Sequence, residues 1–121
     1  TYADSINVPV PRNWRKALRV VHDSGGAFVT VSDEQIQEAV RLTGRLTGVF
    51  AEPAAAAAVA GVAEARRRGM IGASASVLAM ITGSGLKDVA GALRAVGRPH
   101  EIPAELERVA DVVAAPAPQA C

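Results

Sequence analysis

The sequence has few of the residues that mark a site by themselves. It contains one cysteine, Cys121 at the last position, and two histidines, His22 and His100, which are far apart along the chain. A single thiol excludes an internal disulfide and fits a reducing cytoplasm, and isolated histidines offer no metal-ligand spacing. The same scarcity argues against a Ser-His-Asp or Cys-His catalytic set. We therefore expect no metal site.

Charge of one sign and long apolar runs are also lacking. Thirteen basic and twelve acidic residues give a net charge of +1, too weak a field to hold nucleic acid or an anionic membrane. No apolar run approaches the roughly 20 residues of a membrane span, and no signal segment is evident. We expect a cytoplasmic protein without nucleic-acid or membrane partners. The one basic cluster, residues 66–68, is interpreted as a solvated cap at a helix end.

Aromatic residues are only 3% of the chain, although hydrophobic residues are 50%. The core must therefore be built from Ala, Val, Leu and Ile, a composition that suits an α/β layer structure. A length of 121 residues fits one domain or a piece of one. Because the chain opens at Thr1 inside a segment that has a folded character, we expect part of a longer protein.

Helix signals recur along the chain. Proline at positions 11 and 53 is well placed in a first helical turn, and Ser32 stands three residues before Gln35, the spacing of a capping box. Two further short helices are predicted at residues 87–96 and 103–113. Residues 114–121 have the Ala/Pro composition of a disordered tail, so residues 1–113 form the predicted folded part.

Two short apolar runs, residues 27–31 and 76–81, alternate with these helices and are interpreted as buried strands. Their separation excludes a hairpin, so we expect parallel strands of one sheet with crossover helices packed on it. Two strands do not make a stable sheet. The other strands must come from residues outside this chain or from a partner.

Two segments are candidates for a site. Glu52 lies between an apolar loop and the helix that starts at Pro53, where a half-buried carboxylate needs partners unless it only stabilises the helix dipole. Residues 82–85, Thr-Gly-Ser-Gly, follow the second predicted strand, and ligands of parallel sheets bind beyond the carboxyl ends of strands. A glycine turn is a weak signal alone, because any sharp strand exit uses glycine.

Taken together, six segments resemble the end of threonine synthases, in the same order along the chain. These enzymes belong to the fold type II pyridoxal-phosphate class, whose tryptophan synthase β-like fold has three layers around a parallel sheet. The resemblance covers residues 1–88 and extends more loosely into the tail. The matching segments are Ala3-Asp4-Ser5-Ile6, Pro11-Arg12-Asn13, Ser24-Gly25-Gly26, Val31-Ser32-Asp33-Glu34, Gly48-Val49-Phe50-Ala51-Glu52-Pro53-Ala54 and Thr82-Gly83-Ser84-Gly85-Leu86-Lys87-Asp88.

The resemblance implies a cofactor, pyridoxal 5'-phosphate, and roles for three residues. The Thr82 hydroxyl would hydrogen-bond the pyridine nitrogen, and Glu52 would line the same pocket near the ring, with Gly83 in the turn beside them. A neutral hydroxyl makes the ring a milder electron sink than a carboxylate would. It also implies an amino-acid substrate, O-phosphohomoserine, which the intact enzyme, expected to be a homodimer, would convert with water to threonine and phosphate.

The family's Schiff-base lysine, phosphate-binding glycine loop and ring-stacking asparagine lie in segments that this chain does not contain. We therefore expect no catalytic residue here and an isolated chain without activity. Two other functions remain open on the residues alone. One is a dehydratase-like lyase of the same class, against which only the turn at Thr82 argues, and the other is a detached, non-catalytic assembly or ligand-binding module.

Overall fold

A computed structural model describes residues 1–97 and 100–114. Across these ranges the chain forms five α-helices and two short 3-10 turns, Asp4–Ile6 and Gly85–Lys87. None of the helices in the described ranges has the length and apolar character needed to cross a membrane. The predicted tail falls almost wholly outside the described residues, although Ala114 itself closes the last helix. The helices are α1 Trp14–Asp23, α2 Asp33–Thr47, α3 Pro53–Arg67, α4 Val89–Val96 and α5 Leu106–Ala114.

Local signals place the start of α2 and α3 correctly. Ser32 is the N-cap of α2, where its Oγ accepts the Gln35 N–H at 3.2 Å and its own N–H donates to Gln35 Oε1 at 2.8 Å. The predicted capping box is thereby confirmed, since it satisfies two backbone groups that a helix start leaves unpaired. Pro53 occupies the first turn of α3, as expected, whereas α1 begins three residues after Pro11.

The core lies between α2 and α3. One side of α3 presents small, buried side chains to buried aliphatic side chains of α2, and α4 adds two more alanines. Alanine carries little volume, so the helix backbones approach closely without large side chains between them. This confirms that α3 is a buried element. The core residues concerned are Ala55, Ala56 and Ala60 of α3, Ile36, Ala39 and Val40 of α2, and Ala92 and Ala95 of α4.

The expected sheet is not confirmed. Within residues 1–97 and 100–114 no strand is present, and segments 27–31 and 76–81 have no regular secondary structure. They make no strand ladder with each other, and only one isolated antiparallel bridge, Ala51 to Ser84, is formed. The physical reason is that ladder hydrogen bonds need neighbouring strands, which these residues do not supply. The described part of the chain is therefore helical, where an α/β arrangement was predicted.

The basic cluster at the end of α3 has more partners than its prediction included. Arg67 and Arg68 both donate to the buried carboxylate of Glu64, at distances between 2.6 and 2.8 Å, and Gln35 Nε2 donates to it at 3.0 Å. Arg66 donates to the Ala73 carbonyl at 2.6 Å, and Arg68 also reaches a backbone carbonyl, that of residue 30, at 3.3 Å. The arginine side chains thus bind the buried Glu64 carboxylate and two backbone carbonyls outside the helix. The arginines are exposed at the end of the helix, as the solvated-cap interpretation expects, but they also bind specific partners, because Glu64 lies one turn earlier on the same helix.

The pairing of Glu64 with Arg67 and Arg68 makes the stability of the fold depend on pH. Hydrogen bonds from Arg67 and then Arg68 lower the pKa of Glu64 from 4.5 to about 2. A carboxyl group with a depressed pKa stabilises the fold above its unfolded pKa, and this contribution is lost as the pH falls. We expect the stability from Glu64 to be complete above pH 4.5 and to disappear between pH 4.5 and about 2.

Glu64→Gln tests this expectation by thermal unfolding at a series of pH values. The variant is expected to be less stable than wild type at neutral pH and to lose less stability between pH 4.5 and 2, so that the two melting curves converge in acid. The exposed Glu107 provides the control variant Glu107→Gln, which should follow wild type throughout. Parallel losses in wild type and Glu64→Gln would contradict the assignment.

Candidate cofactor-binding site

The two candidate segments lie side by side. Gly85 N–H donates to the Phe50 carbonyl at 2.8 Å, and Glu52 N–H donates to the Gly83 carbonyl at 3.1 Å. Between these two bonds Ala51 and Ser84 form the isolated antiparallel bridge. The glycine turn is therefore held against the residues that lead into α3, which brings Glu52 next to the turn as the sequence interpretation requires.

Glu52 is buried, and its carboxylate is not a helix cap. The residue is 4% exposed, it occupies the N-cap position of α3, and its side chain makes no capping hydrogen bond. Its Oε2 atom is buried and has no hydrogen-bond partner among the described residues. Leaving a buried acceptor unpaired costs about 1–3 kcal/mol, so this oxygen calls for a donor. The dipole interpretation alone does not account for an oxygen in that state.

Gly83 is the residue that admits this carboxylate. Gly83 is buried, and a Cβ built on it would overlap the carboxylate group of Glu52. Its φ is not in the left-handed region, so the requirement for glycine here is close approach and not backbone conformation. Glycine is therefore needed at position 83 because the Glu52 side chain occupies the space that a Cβ would fill.

Thr82 faces an open cleft. The cleft has a volume of about 400 Å³ and is lined by Val49, Phe50, Ile81, Thr82, Gly83 and Ser84. The Thr82 side chain is exposed, and its hydroxyl makes no hydrogen bond within the described ranges. Glu52 does not line this cleft, but its carboxylate lies against Gly83, which does. Thr82 thus presents a free donor and acceptor to anything that enters the cleft.

Phe50 is a residue of this region that the sequence analysis quoted without a role. Its ring occupies the space over Gly85, where a Cβ would overlap it, and the same ring lines the Thr82 cleft. Two sequence features could have pointed to it. The chain has only four aromatic residues, and this one precedes Glu52 by two positions. Ser84 completes the turn, since its Oγ accepts the Leu86 N–H at 3.3 Å.

Comparison with known proteins decides the family. Residues 1–83 match the family model described as pyridoxal-phosphate dependent enzyme. The chain belongs to this family. Its members have the fold type II architecture, and pyridoxal phosphate is their cofactor.

Similar individual proteins carry one name. The chain is 36% identical over 105 residues to threonine synthase of Mycobacterium tuberculosis strain H37Rv, an alignment that covers 87% of this chain and 29% of that protein. It is 38% identical to threonine synthase of Methanocaldococcus jannaschii over 106 residues, with 88% and 26% covered. For threonine synthase of Synechocystis the identity is 38% over 114 residues, with 94% and 29% covered. The chain therefore spans less than a third of the length of these relatives.

The residues present fit one end of the family's cofactor. A pyridine ring has a nitrogen that needs a hydrogen-bond partner, and the Thr82 hydroxyl is a free donor in an open cleft. The unpaired Glu52 Oε2 is a free acceptor beside the same turn. The turn beside them has a glycine, Gly83, where a Cβ would overlap the Glu52 carboxylate. Groups of these kinds are compatible with the ring end of the cofactor. The resemblance puts the residues for the phosphate and for the reactive aldehyde carbon in other segments.

Gly83→Ala is expected to destabilise the protein by about 1–3 kcal/mol in urea unfolding, because the added methyl group overlaps a carboxylate that is itself confined. Adding Glu52→Ala to this variant should recover part of the loss, since it empties the contested space. Gly44→Ala is the matched control: it lies inside α2 with no atom near its Cβ position and should be neutral or stabilising. Equal behaviour of the two glycine variants would show that Glu52 is free to move away.

Proposed function

We propose that this chain is the carboxy-terminal part of a threonine synthase-like enzyme, which when intact converts O-phosphohomoserine and water to threonine and phosphate. The family match and the names of the relatives support the reaction class. The observation that carries the proposal at the level of the site is the free Thr82 hydroxyl in a cleft beside the glycine turn. This is the position at which the resemblance expects the partner of the ring nitrogen.

Pyridoxal phosphate, when bound, supplies an electron sink that allows protons to be removed along the substrate chain. The residues of this chain set the strength of that sink. Thr82 is neutral, so it holds the ring nitrogen through a hydrogen bond without the charge that would favour its protonated form. Glu52 keeps a buried acceptor, Oε2, next to the same turn, where it would bind a donor near the ring. Gly83 leaves the room for the Glu52 carboxylate.

The remainder of the fold is the other partner that this proposal requires. We infer that segments 27–31 and 76–81 become strands when the neighbouring strands of the intact enzyme are present. Their exposed apolar side chains support this, since Phe28 is 62% and Leu78 is 87% exposed. Such side chains are the ones that a covering layer would bury. The intact enzyme would be a cytoplasmic homodimer.

A dehydratase-like lyase of the same family is the second candidate. The similar proteins reported above are all named threonine synthase, which favours the synthase. The turn at residues 82–88 favours it as well, since this is the segment in which the resemblance separates the two activities.

Two variants of Thr82 test the role of its hydroxyl in the intact protein. Thr82→Val keeps the shape and should weaken cofactor binding by about 0.5–1.5 kcal/mol, the contribution of an ordinary hydrogen bond. Thr82→Asp places a carboxylate beside the ring nitrogen and should favour its protonated form, which shifts the product ratio towards side reactions. The measurements are the absorbance spectrum of the bound cofactor, its dissociation constant and the product ratio.

Thr30→Val is the matched control for these variants, because Thr30 lies outside the cleft, contributes only its backbone carbonyl to a hydrogen bond among the described residues, and is replaced by a residue that strands accept readily. It should leave all three measurements unchanged. Wild-type spectra, affinity and products in both Thr82 variants would require the assignment of Thr82 to be abandoned.

The isolated chain of residues 1–121 should neither form a Schiff base with pyridoxal phosphate nor turn over substrate. Its only amines besides the amino terminus are Lys16 and Lys87, and both side chains are exposed, whereas a Schiff-base lysine needs a desolvated or otherwise activated amine. Borohydride reduction after mixing with the cofactor, followed by mass spectrometry, measures the trapped adduct. A stoichiometric adduct on either lysine would contradict the expectation.

A further inference from the structure

We propose that Phe50 is a positioning residue for Thr82, which acts through Gly85 and the glycine turn. The proposal rests on the role of Thr82 proposed above and adds to it the side chain that keeps the hydroxyl in place. Phe50 is joined to the turn twice, through its backbone and through its ring.

The backbone connection is the hydrogen bond from Gly85 N–H to the Phe50 carbonyl, 2.8 Å long. The ring connection is the occupation of the space above Gly85, where a Cβ would overlap three ring atoms. Phe50 is 43% exposed and also lines the cleft of Thr82. Phe50 therefore packs on the turn and borders the cleft that Thr82 lines.

The turn has one other hydrogen bond to the segment before α3, from Glu52 N–H to the Gly83 carbonyl, and the ring of Phe50 adds a side-chain restraint to it. Residues 76–81, which lead into it, have no strand partners among the described residues, and two of its four residues are glycine. Glycine has the widest range of backbone conformations, so the turn by itself defines the direction of Thr82 poorly. A hydrogen bond to a ring nitrogen tolerates only about 0.5 Å in length. A ring packed on Gly85 removes the conformations in which the turn rises into the cleft.

A role for Phe50 that acts only through Thr82 limits how much Phe50 can change the affinity for the cofactor. Its effect on the cofactor cannot exceed that of losing the Thr82 hydrogen bond, which amounts to about twofold to tenfold in affinity. It must also vanish once that hydrogen bond is gone. A ring that touched the ligand directly would instead contribute equally with and without the hydroxyl.

A double-mutant cycle in the intact protein separates these cases, with the dissociation constant and absorbance spectrum of the cofactor as measurements. Phe50→Ala is expected to weaken binding by no more than Thr82→Val does, and to change it by less than about twofold in the Thr82→Val background. Phe50→Leu, a milder change, should give a smaller effect with the same pattern. Gly85→Ala should weaken binding as well, and adding Phe50→Ala to it should restore part of the affinity by vacating the ring's space.

Phe28, the other phenylalanine of the chain, supplies the matched control. Phe28→Ala removes the same side chain from a segment outside the cleft, so any effect on affinity should combine additively with Thr82→Val, within about twofold. A readout that needs no cofactor is amide hydrogen exchange. Phe50→Ala should speed exchange of the Gly85 amide by roughly tenfold relative to Phe28→Ala, because the ring shields and restrains that bond.

The outcomes are distinct. Equal weakening by Phe50→Ala in both Thr82 backgrounds, or no weakening in either, overturns the positioning role while the assignment of Thr82 stands. Unchanged exchange at Gly85 overturns it as well. If Thr82→Val itself has no effect on affinity or spectrum, the Thr82 assignment fails and the positioning role fails with it.

Discussion

The close packing of α3 against α2 is the constraint on which the other features depend. A helix with alanine at positions 54–58 and 60 brings its backbone near that of α2, and the ends of that helix then have fixed positions. Glu52 lies at its start and Glu64 near its end. One buried acid thus faces the glycine turn, and the other binds two arginines and a glutamine. Side chains of larger volume along this helix would move both.

The two acids differ in how many donors their carboxylate oxygens have. The Glu64 carboxylate has four donors on its two oxygens, so its burial is compensated within the described fold. Glu52 is equally buried, but its Oε2 has no donor in the described part of the chain. A fold retains an unpaired buried oxygen at a cost, and a carboxylate oxygen in this state is compatible with a binding position. This contrast distinguishes Glu52 more clearly than burial does.

What the sequence predicted correctly was local. The Ser32 cap and the helix start at Pro53 depend on residues within one turn, so their spacing was sufficient. The strands at 27–31 and 76–81 depend on neighbours that the described residues do not include, and no local pattern supplies them. The interpretation of the arginine cluster overlooked Glu64, one turn earlier on the same helix, and Gln35, which comes from α2. Glu52 and the turn at 82–85 were candidates from the sequence pattern, whereas the roles of residues 52, 82 and 83 came from the family resemblance and remain proposals.

The pairing of residues 50–52 with 83–85 explains why glycine occurs twice in the turn. In an antiparallel pair centred on Ala51 and Ser84, Phe50 is opposite Gly85 and Glu52 is opposite Gly83. Opposed residues share a face and alternate residues repeat it, so the ring and the carboxylate both cover the turn from one side. A shift of one residue would place Ser84 or Thr82 against them. The two glycines are therefore the residues that this register requires, and Thr82 and Ser84, which alternate with them, both line the cleft.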